Sequence, residues 1–262
     1  MLKKRLIPKL QMRLARIGAS EQMVLVNTSQ FNPCVDIGDP VSQAKIYEAQ
    51  AADELIFLDI DASLNNRKTT TSVVRKAAEE IFMPFTVGGG VRSIDDFREL
   101  LSNGADKVSI NTAAIESPEL ISKAAEMFGS QCVVLSIDYK NDANGQPRVW
   151  IRGGKTRTDW HPLDWAIEGQ RLGCGEILLT SIDRDGTCAG LDLQMIRRIA
   201  DAVTVPVIAS GGCGKASHFV DGFLEGKADA VAAGTYFSSK DQNPMQARAH
   251  INTAGVPIRL HT

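Results

Sequence analysis

The sequence predicts an α/β fold, a (βα)8 TIM barrel built from two duplicated (βα)4 halves, as a single domain over residues 1–262. Three observations carry that prediction. Eight short, continuously apolar runs alternate with helix-length stretches from end to end, as expected for parallel strands buried on both faces. A constant offset relates the halves. Leu55-Ile-Phe-Leu-Asp-Ile-Asp61 resembles Ile177-Leu-Leu-Thr-Ser-Ile-Asp183, and the pairs Pro84/Pro206 and Gly89-Gly90/Gly211-Gly212 share the same separation of 122 residues. Finally, 262 residues fall short of two domains of ~150 residues each but suit one α/β barrel. A doubly wound open sheet uses the same alternation, yet it does not require one register to be shared by three separate elements.

The strands expected in chain order are Arg5–Leu10, Leu55–Ile60, Pro84–Val87, Lys107–Ile110, Cys132–Ile137, Glu176–Thr180, Pro206–Ala209 and Ala228–Ala232. Helix starts are marked between them. Asp39-Pro40 places a cap before a first-turn proline, Ser117-Pro118-Glu119 repeats the device, and Ser93 with Asp96 approximates a capping box. The stretch Asn141–Arg157, with Asp142-Ala-Asn-Gly145 and Gly153-Gly154, reads as a hairpin over the loop of the fifth barrel strand. Trp150, Trp160 and Trp165 are expected to pack, because no basic stripe accompanies them. His161 and His218 lack spaced metal partners and suit surface or helix-capping positions.

Composition narrows the partners. Lys plus Arg number 29 against 31 Asp plus Glu, a net charge of −2, so no global field favours nucleic acid or an anionic membrane. The five cysteines contain no C-x-x-C pair, which points to reduced thiols and no zinc site. Met1-Leu2-Lys3-Lys4-Arg5 looks like the charged start of a leader, but Lys9, Arg13 and Arg16 interrupt the apolar stretch such a leader needs. No run approaches the ~20 apolar residues of a membrane span. A soluble, cytoplasmic protein is expected, with no metal or other cofactor.

Two constellations could carry function. Glycines follow the third and seventh strands at Gly88-Gly89-Gly90 and Gly211-Gly212, and the next strands end at Asn111-Thr112 and Gly234-Thr235. Glycine there lets backbone N–H groups approach a phosphate, with the following helix N-terminus favouring its charge. Two such turns in repeat register suggest two opposed anion sites, hence a long substrate carrying phosphate at both ends. Between them fall the strand-end acids Asp59, Asp61, Asp138, Asp183 and Asp185. Asp138, directly after Val133–Ile137, is the best general acid or base; the equivalent place on the first strand holds Gln11, which cannot exchange a proton near neutral pH. The second constellation begins strands instead of ending them. Arg5, Glu54, Lys107 and Glu176 can form a ring at the barrel floor, and the residues by themselves favour a stabilising ion network there.

The longer motifs, Phe57-Leu-Asp-Ile60, Pro84-Phe-Thr-Val-Gly-Gly-Gly90, Gly104–Ala114, Glu176–Thr187 and Ile208-Ala-Ser-Gly-Gly212, resemble the cyclase subunit family of imidazole glycerol phosphate synthase, the HisF family of histidine biosynthesis. The likeness spans essentially the whole chain. It implies a lyase-type barrel that forms a heterodimer with a glutaminase (HisH-like) subunit at its bottom face and draws ammonia through the barrel to a phosphorylated substrate at the top. It further implies phosphate contacts at Gly90, Asn111, Thr112, Gly186, Gly212 and Gly234, an ammonia gate at Arg5, Glu54, Lys107 and Glu176, partner contact at Asp106, and catalysis at Asp138. Gln11 stands where the family has its other catalytic aspartate, Asn27 falls near the place of a family lysine, and Met12–Ile37 is divergent. Family members of this kind resemble a second copy found with surface-polysaccharide genes. The resemblance therefore implies a HisF-like synthase subunit that accepts ammonia and whose cyclase site is weakened or repurposed by Gln11; the alternatives are a functional cyclase subunit of histidine biosynthesis, or a non-catalytic ammonia conduit serving a sugar-modifying amidotransferase. The related isomerase of the same pathway ranks last, since it does not need the charged ring.

Overall fold

In the computed structural model, residues 3–69, 71–238 and 242–259 are described; Met1 and Leu2 of the charged start lie outside them. The chain opens with three strands, β1 (Arg5–Ile17), β2 (Ser20–Ser29) and β3 (Asn32–Gly38), and then α1 (Pro40–Ala49). Next come β4 (Leu55–Asp59), α2 (Thr71–Glu80), β5 (Phe85–Gly88), α3 (Ile94–Ser102), β6 (Lys107–Ile110), α4 (Thr112–Glu116) and α5 (Glu119–Phe128). The second half begins with β7 (Val133–Asn141), β8 (Pro147–Ile151), β9 (Thr156–Arg157) and α6 (Pro162–Leu172). It ends with β10 (Glu176–Ser181), α7 (Leu193–Ala200), β11 (Val207–Ser210), α8 (Ala216–Leu224), β12 (Ala230–Ala233), α9 (Thr235–Ser238) and α10 (Pro244–Thr253).

Eight of these strands close a parallel barrel in the order β1, β4, β5, β6, β7, β10, β11, β12, with β12 returning to β1. The 122-residue offset survives as pairing register. Leu55 lies opposite Phe85 and Leu58 opposite Gly88, as Ile177 does Val207 and Thr180 does Ser210. The repeated glycines are explained by the same symmetry: a Cβ on Gly89 would strike the Asp59 carbonyl, and one on Gly211 the Ser181 carbonyl. Both glycines have positive φ, so a side chain there is strained as well as blocked.

Strand alternation sorts side chains into two apolar layers. Leu6, Leu55, Phe57, Val133, Leu135, Ile177 and Leu179 pack outward against the helices. Ile7, Ile56, Val134, Leu178 and Ile208 pack inward as a separate cluster that fills the barrel. Each fully buried aliphatic side chain contributes roughly 1.5–3 kcal/mol, so these runs define the barrel without disulfide support. Cys132, Cys174, Cys188 and Cys213 are free thiols, and the side chain of Cys34 lies outside those described.

The helix starts follow their sequence signals in two cases and depart from them in a third. Asp39 accepts from the Ser42 backbone N–H, and Ser93 with Asp96 forms a reciprocal capping box. Ser117 offers no side-chain cap: Pro118 takes the cap position of α5 and Ser117 contributes its carbonyl to Leu120 N–H. His161 caps α6 through Nδ1, His218 Nδ1 accepts from Gly214 N–H, and Trp165 is buried against Trp160.

The largest departure lies above the barrel. The first strand continues past Leu10 to Ile17, β2 pairs back on it and β3 pairs on β2, both antiparallel. Asn141–Arg157 forms the expected hairpin, with β8 and β9 folded on the extension of β7. The two excursions cover the end of the barrel where the acids lie. Phe31, at the β2–β3 turn, meets Gly154 of the other excursion. Among the described residues no helix is long and apolar enough to cross a membrane.

Candidate active site

At the lower end the strands start with charge. Arg5 reaches Glu54 at 2.8 Å and Glu176 at 2.5 Å, and Lys107 reaches Glu54 at 3.1 Å and Glu176 at 2.8 Å. Each cation thus bridges both carboxylates, closing the four-membered ring expected from Arg5, Glu54, Lys107 and Glu176. Burial works against the Arg5 charge, but Glu176 and Glu54 outweigh it and raise its pKa. Burial likewise pushes Glu54 up, and Arg5 with Lys107 more than reverses this, holding the carboxyl below its ordinary value. Asp106 is exposed beside Lys107, and its Oδ2 accepts from Phe85 N–H at 2.9 Å. Asp229 does the same for Val207 N–H at 3.1 Å, so both carboxylates tie neighbouring strand starts together.

Above the ring the interior is apolar through Ile7, Ile56, Val134, Leu178 and Ile208, then turns polar. A cavity of about 150 Å³ opens there, lined by Lys9, Gln11, Ser109, Asn111, Ser136, Asp138 and Thr180 together with Gly90 and Thr112. A smaller cleft continues beyond Lys9 and Gln11 to Asp185, Gly186, Gly212 and Gly234. The structure therefore brings both sets of glycine turns to one end of the barrel, on either side of β1.

Register explains the relation between the two halves of the site. Gln11 lies opposite Leu58 and Asp138 opposite Thr180, and Leu58 and Thr180 are repeat mates. Gln11 and Asp138 are thus equivalent positions of the two halves, one an amide and the other a carboxylate. Burial pushes the Asp138 carboxyl up to about 6; Asp185 adds to the rise, while Lys9 and hydrogen bonds from Asn111 and Thr180 oppose it. The Asn111 amide donates to Asp138 Oδ2 at 2.6 Å, which joins an expected phosphate ligand directly to the expected acid–base residue. Gln11 is buried and meets Thr28 Oγ1 at 3.0 Å, and that hydroxyl lies 2.5 Å from Asp185 Oδ2. One hydroxyl proton serves one acceptor, and the charged Asp185 is the stronger claimant.

Of the other strand-end acids, Asp61 lines the larger cavity, while Asp59 and Asp183 have local duties. Asp59 is clamped by both terminal nitrogens of Arg67 at 2.7 and 2.8 Å, and Asp183 accepts from Asn141 N–H at 3.0 Å. Gly90 N–H faces Ser63 Oγ at 3.3 Å, and Thr112 Oγ1 accepts from Arg152 N–H at 3.0 Å. Gly186 and Gly212 allow backbone contact with Thr28 and Gly190, while Gly234 lies against the Lys9 carbonyl and the Gln11 amide. Asn27 takes no part in either cavity and accepts from Ser238 Oγ at 2.6 Å.

Two features escape the sequence reading. The β2–β3 turn docks on the site, with Gln30 N–H donating to the Asp185 carbonyl at 2.8 Å and Phe31 lining the larger cavity. Lys9 is buried inside the barrel 3.8 Å from Asp185. Its signal was its place in strand alternation, two residues before Gln11. Among the described residues no group of three or more His, Cys, Asp or Glu could hold a metal ion.

Comparison with known proteins places these features in context. The model of the family described as "Histidine biosynthesis protein" matches residues 18–242. Over 260 residues, 99% of each chain, the sequence is 50% identical to a protein of Prochlorococcus marinus provisionally named imidazole glycerol phosphate synthase subunit hisF2. It is 48% identical, again over 260 residues, to the imidazole glycerol phosphate synthase subunits HisF of Geobacillus thermodenitrificans and Geobacillus kaustophilus. Those matches cover 99% of this chain and 100% of each relative.

Proposed function

We propose, from the premise that this chain belongs to the histidine biosynthesis protein family and is a HisF-like subunit of imidazole glycerol phosphate synthase type, that its barrel takes ammonia from a glutaminase partner and delivers it to a phosphorylated substrate at the opposite end. The observation that carries this reading is the axial order of the interior: a closed ring of two cations and two anions, an apolar layer, then a polar cavity at Asp138. An ion network needed only for stability has no reason to stand in line with an apolar layer and a carboxyl held at about 6. The glutaminase would dock over the ring and the exposed Asp106, in the cytoplasm where the family's pathway runs.

At the upper end the glycine turns at Gly90, Asn111 and Thr112 and at Gly186, Gly212 and Gly234 would hold the two phosphates. Asp138 would exchange protons with the substrate. Gln11 would orient it by hydrogen bonds, which leaves the cyclase step slow. A general acid or base contributes typically 10²–10⁴-fold, so the loss of one carboxylate is large enough to change the protein's role. A second reading is favoured by Gln11 itself and by the hisF2 relative. In it the chain is a paralogue of the kind found with surface-polysaccharide genes, and it passes ammonia onward to a sugar-modifying amidotransferase without closing an imidazole ring.

The test is co-purification of the chain with the glutaminase encoded beside it, followed by glutamine-dependent and ammonium-dependent assays on the bisphosphorylated ribulosyl–carboxamide. Association should weaken in Asp106→Ala, and glutamine-dependent turnover should fall in Lys107→Ala while ammonium-dependent turnover persists. Both variants behaving as wild type would reduce the ring to a structural ion network. Rapid cyclase turnover in the unaltered chain would dismiss the conduit reading.

A further inference from the structure

The proposed chemistry leaves Gln11 as a position that cannot carry a proton, yet an ionisable side chain lies one inward step below it. Alternation along β1 places Arg5, Ile7, Lys9 and Gln11 on the interior face, from the charged ring to the cavity. The Lys9 side chain is only 3% exposed, and it lines both the larger cavity and the cleft that continues beyond it. A ligand reaching from one set of glycine turns to the other must pass it.

The surroundings of Lys9 are unequal in charge. Asp185 Oδ1 stands 3.8 Å from its ammonium, too far for a hydrogen bond, and Asp138 feels its charge from β7. Of the other residues lining its cavities, Asp59, Asp61 and Lys155 are charged, Asp59 being clamped by Arg67, whereas Gln11 on β1, Thr28 on β2, Ser136 on β7, Thr180 on β10, Ser210 on β11 and Cys213 beyond it are neutral. Cys213 is held far toward its thiol form by burial. The ammonium is therefore kept inside by charge and donates no side-chain hydrogen bond to the described residues, so its N–H groups are open to a ligand.

Repeat symmetry sharpens the point. Lys9 lies opposite Ile56 and Ser136 opposite Leu178, and Ile56 and Leu178 are repeat mates. One half thus carries a hydroxyl below a carboxylate, Ser136 below Asp138. The other carries a cation below an amide, Lys9 below Gln11. At these repeat-related positions the cavity thus receives one ionisable group of each sign, Lys9 and Asp138.

We infer that Lys9 is a catalytic residue, the proton-transfer partner of Asp138 that replaces the carboxylate absent at Gln11. The inference rests on the reading of this site as one where ammonia meets a phosphorylated carbonyl substrate. When the nitrogen forms its bond to carbon, the Asp138 carboxylate takes a proton from that nitrogen. The Lys9 ammonium gives a proton to the oxygen, whose C–O double bond opens to a hydroxyl. Asp138 then returns its proton to Lys9, so no oxidant, reductant or further reactant is needed.

The experiment uses the whole chain in molar excess over the bisphosphorylated ribulosyl–carboxamide, with ammonium chloride as nitrogen source, so that a slow single turnover is visible without a partner. Substrate binding is measured separately by calorimetry on wild type, Lys9→Met and Lys9→Arg. The expected result is binding within about threefold in all three, with turnover about 10²-fold slower in Lys9→Met. Lys9→Arg, which keeps the charge but not an exchangeable proton near neutral pH, should be equally slow. A Lys9→Met rate within threefold of wild type overturns the inference, as does a wild type that binds substrate and forms no product. Lys9→Arg turning over like wild type reduces Lys9 to a positioning charge and overturns it too. Failure of wild type to bind the substrate refutes the ligand reading first and takes the inference with it, a distinct outcome. Urea denaturation of each variant separates these results from loss of fold.

Discussion

Asp138→Asn tests the site through stability before any ligand is added. Burial holds the Asp138 carboxyl at about 6, against an ordinary 3.8. Between those two values the folded chain keeps a proton that the unfolded chain has released. Stability therefore falls as pH rises through that window and stays lower above it. At about 1.4 kcal/mol per pH unit of displacement, the carboxylate costs the fold up to ~3 kcal/mol at pH 8. Asparagine keeps the shape and an oxygen for the Asn111 amide to donate to, but never ionises. The variant should gain ~1–3 kcal/mol over wild type at pH 8, a rise of several degrees in Tm for a chain of this size. The gain should shrink steadily as pH is lowered toward 4, and it should come with loss of whatever turnover the site performs. Urea denaturation in a pH series is the assay. A variant less stable than wild type at pH 8, or a gain that ignores pH, would refute the account of Asp138 as a charge stranded by burial.

Lys107→Ala should cost ~1–2 kcal/mol at pH 7 by urea denaturation, because Glu54 and Glu176 keep Arg5 but lose their second cation, and Lys107 is 18% exposed. Since Glu54 is held below its ordinary value, the wild-type advantage should be full above the ordinary carboxylate range and fade as pH falls beneath it. Gly186→Ala should undock the β2–β3 turn, for φ is +71° and the new Cβ would strike the Thr28 carbonyl; faster hydrogen exchange at the Gln30 amide, which bonds the Asp185 carbonyl, is the readout. Gln11→Asp should raise ammonium-dependent turnover at least tenfold, provided the turn still closes over the cavity; a rate unchanged or lower would refute the proposal that Gln11 slows cyclisation.

Much of this was legible because short-range rules and the barrel agree. The apolar runs at Leu55–Asp59 and Glu176–Ser181 are buried on both faces, so composition alone marks them as interior strands. Glu54 and Glu176 betray the ring because a charge at a strand start, repeated at the same offset, needs a partner inside the barrel. The β2–β3 excursion was illegible for a physical reason. Its only sustained apolar stretch, Met23–Val26, is flanked by polar residues, and it becomes strand by pairing with an extension of β1 that propensity does not predict. The Asn111–Asp138 hydrogen bond spans 27 residues and exists only once β6 and β7 lie side by side. Lys9 reads as an interruption of an apolar run until the alternation of Arg5, Ile7 and Gln11 is taken as one inward face.

The order of these inward layers also constrains what can travel between them. An isolated ammonium ion among Ile7, Ile56, Val134, Leu178 and Ile208 would lose its hydration with no compensating carboxylate, a cost far above that for neutral ammonia. The ring below keeps its charges because they are paired, with Arg5 raised and Glu54 lowered from their ordinary values, so an entering molecule does not have to bring its own counter-ion. Above the apolar layer, the first charge met is Lys9, which repels a cation and tolerates a neutral base. On the proposed reading this order would favour ammonia over ammonium, and Asp138 lies above it as a carboxylate able to take the proton that ammonia later loses. On the proposed reading transport and proton transfer are separate, so the charged entrance could be kept while the pair above it is one carboxylate and a lysine in place of two carboxylates.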